Sequence, residues 1–185
     1  MTAIRILIAA GILTAARVYM IADRMMLLTS GRSITLQVVP VDPTEMFRGD
    51  YVILSYKISR LDLAVLHGPD AFIVQRPVFV VLKNDGQAWV PITVSDKLIA
   101  AGPDQVVIRG TVTSYQPNAD DKAPPVLSVE YGIESFFVPQ GEGKDIESAR
   151  NADKVTAEVA VANDGRVALK AVLVDGKSVF SETLF

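Results

Sequence analysis

The rhythm of apolar positions along this chain changes at Gly31. Before it, residues 6–16 form an uncharged apolar run, Arg17 interrupts, and residues 18–22 resume the run before Asp23 and Arg24. Residues 4–22, 19 in all, come close to the length of ~20 that a bilayer-spanning helix needs. After Gly31 the period falls to two: Ile34, Leu36 and Val38 alternate with Ser33, Thr35 and Gln37, as on a half-buried strand. Further strands are predicted over 51–58, 78–82, 88–94, 105–115, 126–138, 155–161, 167–173 and 178–180. Asn84-Asp85-Gly86, Asn163-Asp164-Gly165 and Asp175-Gly176 are the hairpin turns between them. One helical turn is expected over 96–101, a bulge at Gly110, an exposed connector over 116–125 and a short helix over 141–153 with Ile146, Ala149 and Ala152 on its narrow apolar stripe. The resulting fold class is mainly β, an antiparallel β-barrel or sandwich with one short helix, preceded by an N-terminal α-helix. Residues 1–30 form the leader and 31–185 a single β-rich domain. No strand–helix–strand unit is visible, which argues against a nucleotide-binding parallel sheet.

The leader has three readings. A cleaved signal peptide fits the basic start and the apolar core, but Met20-Ile21-Ala22 is a weak cleavage site. A core helix of a soluble protein is the plain alternative. An uncleaved transmembrane signal anchor is preferred, because the helical pattern runs on through Met25, Met26, Leu27 and Leu28. That cluster packs on the domain or the bilayer surface, and Gly31 ends the helix in the left-handed conformation. Arg17 lies near the end of the span, within snorkelling reach, and marks a place for a partner helix to pair. Arg5 and the amino terminus favour an N-terminus inside; Arg24 and Arg32 pull the other way.

Punctuation is densest over 41–50. Asp42 is an N-cap, Pro43 the first helical residue and Glu45 the third, a capping box around one helical turn that Gly49 terminates. Asp50 leads into Tyr51-Val52-Ile53-Leu54-Ser55-Tyr56, with bulky residues on both faces, so this strand is expected at the centre of the fold. Gly49, Asp50, Tyr51, Leu54 and Tyr56 spell GDYxxLxY, and the chain resembles the bacterial family named after that signature. Val41-Asp42-Pro43 and Phe47-Arg48 are similar to its lead-in, and Tyr131-Gly132-Ile133-Glu134-Ser135-Phe136-Phe137-Val138-Pro139 to a second segment. The resemblance implies a single-pass protein of the bacterial inner membrane with its C-terminal β domain in the periplasm, accompanying a multi-pass membrane protein. It implies no known activity and no catalytic residues.

Pro43-Thr44 and Gly49-Asp50 also resemble a block of signal-peptidase-like serine proteases. The nucleophilic serine of that block falls on Pro40, which has no hydroxyl, so at most a non-catalytic relative is implied. His67, in a Gly-Pro loop, has no marked triad partners. Glu130 and Glu134 flank Tyr131-Gly132-Ile133 and would share a face of an unbroken strand, an arrangement that suits a carboxylate-dependent hydrolase. A structural role is preferred for them, either bonding turn amides or pairing with Arg48 or Arg109.

Composition narrows the choice further. The 185 residues are 50% hydrophobic, with no cysteine, one histidine and a net charge of −3. Disorder, disulfide scaffolds and Cys/His zinc sites are excluded, no metal or cofactor is expected, and no basic stripe invites nucleic acid. With Arg5 and Arg17 set aside, the remainder is two units more negative than the whole, so the β domain does not grip anionic lipid by itself. The leading expectation is a membrane-tethered β domain without enzymatic activity, working through a membrane-protein partner. The rivals are a hydrolase using Glu130, Glu134 and Asp50, and a carrier of lipid or glycan with a large apolar cavity between its sheets.

Overall fold

The computed structural model describes residues 2–39, 51–69, 71–86, 88–117, 124–137 and 155–181. The capped turn expected over 42–49, with Asp42, Arg48 and Gly49, lies outside the described residues, as do Asp50 and the helix expected over 141–153.

Helix α1 runs without a break over Thr2–Ser30. Strands β1 (Arg32–Val39), β10 (Val155–Val161), β11 (Val167–Val174), β12 (Lys177–Ser181) and β3 (Ser55–Tyr56) form one five-stranded sheet, in the order β12-β11-β10-β1-β3. A second has the order β4-β8-β7-β5-β6, from β4 (Arg60–Asp62), β8 (Val126–Glu130), β7 (Gln105–Gln116), β5 (Pro77–Asn84) and β6 (Trp89–Ser95). A short pair joins β2 (Tyr51–Ile53) to β9 (Ser135–Phe137). All these ladders are antiparallel. The inner faces meet in one apolar cluster, with Leu36, Val159 and Val172 from the first sheet and Val80, Ile108 and Leu127 from the second. That is a two-layer sandwich rather than one closed sheet.

Alternation and turn chemistry carried most of this. Residues 34, 36 and 38 are buried and their neighbours 33, 35 and 37 exposed, as period two requires. Gly86, Gly165 and Gly176 hold positive φ at the three turns, and Asp175 joins Gly176 there at φ 49°, the mirror-image turn that suits the twist of paired strands.

Five local expectations need correction. The strand predicted over 51–58 is not central. It breaks at Leu54, passes from β2 to β3 at the edge of the first sheet, turns through a 3-10 segment (Lys57–Ser59) and enters β4 at the edge of the second. Its burial is one-sided, through Leu54, Tyr56, Ile58 and Leu61, because it crosses from layer to layer rather than lying within one. The stretch 126–138 likewise splits at Gly132, so the described strands number twelve. Gly110 keeps regular register with Val78, and the irregularity between β7 and β8 lies at Val112/Ser114. Gly110 is instead a close approach, since a Cβ there would collide with the Val129 side chain and meet the Glu130 carbonyl at 2.9 Å. Gly31 ends α1 without positive φ; a Cβ would lie 2.5 Å from the Leu27 carbonyl and 3.0 Å from the Ala160 Cβ, so glycine serves tight docking. Residues 96–101 form bends and irregular chain, not a helical turn.

Candidate functional site

The two segments that carried the family resemblance meet in the core. Tyr56, at 1% exposure, donates its phenol proton to the Ile133 carbonyl at 2.6 Å. Tyr131, in the turn between β8 and β9, donates its own to the Ile58 carbonyl at 2.7 Å. Each tyrosine thus reaches into the other's segment and satisfies a carbonyl that the sheet ladders leave over. Burial holds both phenols well above their ordinary acidity range, and the Glu134 charge pushes in the same direction. At neutral pH they are fixed donors, not proton-transfer groups.

Glu134 organises the turn beneath them. Its carboxylate accepts the Tyr131 amide at 2.6 Å and the Ile133 amide at 2.9 Å, while its carbonyl accepts the Leu54 amide at 2.6 Å. Gly132 makes the reversal at φ +78°, and a Cβ there would meet nothing within 4 Å. The break at Gly132 takes Glu130 and Glu134 off any common unbroken strand. Glu130 ends β8 and is exposed. Among the described residues no ion pair joins Arg109 to either glutamate. Of the other signature positions, Leu54 is buried at 1% exposure and Tyr51 opens β2 opposite Phe137. Asp42, Arg48, Gly49 and Asp50 fall outside the described residues, so the convergence of Asp50 with the glutamates does too.

Tyr131 and Gly132 also form one wall of a surface groove of about 430 Å³ that runs under the end of α1, where Arg24, Arg109, Glu130 and Arg166 bring charge to it. Helix α1 is fixed above it by Leu27 and Leu28, which pack on Ala168 of β11. The fixing is completed by Arg166, whose guanidinium binds Asp23 of the helix and Asp164 of its own turn. Sequence reading missed this charged link, because partners separated by 143 positions carry no local pattern. It also missed the role of Arg32, which lies 5.2 Å from the Trp89 ring centroid and donates to the Pro103 and Gln105 carbonyls, pinning the first sheet to the second. His67 is exposed; its carbonyl accepts the Val94 amide at 2.8 Å.

Chemically, this assembly fastens. Its buried phenols are bonded to backbone carbonyls, the Glu134 carboxylate is bonded to turn amides, and the Asp23–Arg166–Asp164 charges lie at the helix–sheet junction. A family model described as GDYXXLXY protein matches residues 13–172. No curated protein and no solved structure matches the chain.

Proposed function

The chain belongs to the GDYXXLXY family, and from that premise we propose that it is a single-pass protein of the bacterial inner membrane whose β domain, residues 31–185, stands in the periplasm and acts through a multi-pass membrane-protein partner. One observation carries the reading. Residues 4–22 of α1 are exposed along their whole length, although Ile6, Leu7, Ile12, Leu13 and Val18 are among them. The helix is long and apolar enough to cross a membrane, with a mean hydropathy of 1.8 over its most apolar window. Apolar surface of that extent needs a cover other than water. The final two turns behave differently and dock on the β domain through Leu27 and Leu28. Arg5 and the amino terminus favour an N-terminus inside while Arg24 and Arg32 oppose it, so the proposed orientation follows the family resemblance and is what cysteine labelling decides.

The chain has no cysteine, so a single introduced one reports topology. In Ala64→Cys, at an exposed turn after β4, a membrane-impermeant maleimide should label cells whose outer membrane alone has been opened, and the protein should stay in the pellet after alkaline extraction. Labelling only after the inner membrane is broken, or release of the chain by alkali, overturns the reading.

A further inference from the structure

The docked end of α1 fixes how deep its arginines lie. The free segment, residues 4–22, measures about 28 Å at 1.5 Å per residue, against a hydrocarbon core of about 30 Å. From residue 23 onward the helix is held by the β domain through Asp23, Leu27 and Leu28, so it cannot sink further without dragging polar sheet edges into lipid. Nor can it rise. Lifting Arg17 clear of the bilayer leaves residues 1–16, about 24 Å, and draws Arg5 inward. The two arginines are only about 18 Å apart along the axis, so both cannot lie outside the hydrocarbon on opposite sides.

Arg5 escapes more easily than Arg17. Side chains on a helix lean toward its N-terminus, so the Arg5 stem points to the near headgroups while the Arg17 stem starts toward the membrane centre. Arg17 is exposed, and the only acidic residue of α1, Asp23, is held by Arg166 and lies about 240° around the helix. A second copy of the chain offers Arg17 nothing better than another Arg17 and the same occupied Asp23. A guanidinium in hydrocarbon is retained when an opposite charge meets it.

We infer that Arg17 is the recognition point for the membrane partner: it forms an intramembrane ion pair with an aspartate or glutamate in a transmembrane helix of a different protein, which packs along the face of α1 carrying Ala10, Leu13 and Thr14. This rests on the reading of α1 as a membrane span.

The test uses the full-length chain in its host cells, with a photo-reactive amino acid at position 14, and at position 12 on the opposite face as control. The adduct from position 14 should map to a transmembrane helix with Asp or Glu within a turn of the attachment point. Arg17→Leu should lower its yield at least about tenfold, as loss of a desolvated charge partner does. That substitution makes the span more apolar, so alkaline extraction should show insertion unchanged. Exchanging the charges, Arg17→Glu with the partner's acid replaced by arginine, should restore the adduct. An adduct undiminished in Arg17→Leu overturns the ion pair and leaves the partner standing. Adducts from position 14 with lipid or a second copy alone overturn both.

Discussion

Polar arrangements of two kinds, buried and exposed, hold this molecule together, and they differ in what surrounds them. The Tyr56–Tyr131–Glu134 knot lies in or against the apolar core, and its two phenols are bonded to backbone carbonyls away from water. The Asp23–Arg166–Asp164 link and the Glu158–Lys170–Ser33 cluster lie at the surface. The knot has shorter reach but higher stakes, since a buried acceptor that loses its donor cannot turn to solvent. The surface groups can, so their bonds are worth little to folding and serve placement instead. Burial, rather than the number of bonds, decides which arrangement holds the fold and which only positions neighbouring elements.

Breaking the knot should therefore have the largest effect. Tyr56→Ala is expected to cost about 3–5 kcal/mol, through lost packing and the orphaned Ile133 carbonyl. Tyr131→Phe keeps the ring and isolates the hydrogen bond, at about 1–3 kcal/mol. Denaturant unfolding of the full-length protein in detergent, followed by the fluorescence of Trp89, the only tryptophan, measures both. Equal costs for Tyr131→Phe and for removal of a surface pair would erase the contrast.

The turn under the knot sharpens it. Gly132→Ala meets open space, so its expected cost of about 1–2 kcal/mol is conformational alone, and Gly132→Asn should recover part of it. A loss as large as that of Tyr56→Ala would mean that the turn, not the tyrosines, holds the two segments together.

Smallest should be Glu158→Gln. The Lys170 ammonium, bonded at 2.9 Å, holds the Glu158 carboxyl below its ordinary 4.5, with a lesser bond from Ser33 working the same way. A lowered folded-state value stabilises above the unfolded value and fades as pH falls through the folded one. The variant should thus trail the parent by about 0.2–1 kcal/mol at neutral pH, solvent screening included, with the gap closing below pH 4.5. Denaturation midpoints across that range check the sign.

Much of this architecture was readable in the sequence because its causes are local. Alternating burial in β1, the Gly turns at 86, 165 and 176 and the unbroken α1 all follow from residues within a turn or two of one another. The strand predicted over 51–58 is misplaced because apolar residues on both faces look alike whether a strand is buried twice or crosses between layers. Gly110 and Gly31 were assigned conformational roles when their cause is steric, set by Val129 and Ala160 far along the chain. The site was half visible: Tyr56, Tyr131 and Glu134 stood out as motif members, yet their acceptors are the carbonyls of Ile58 and Ile133, and backbone groups leave no mark in composition.

The junction at Gly31 has a mechanical consequence. Leu27 and Leu28 are seated on Ala168 and the Gly31 amide is still bonded to the Leu27 carbonyl, so the chain passes from helix to β1 through one residue with the last helical turn held against β11. A tilt imposed on that last turn bears first on β11 and on the groove to which Leu27 and Val167 both contribute.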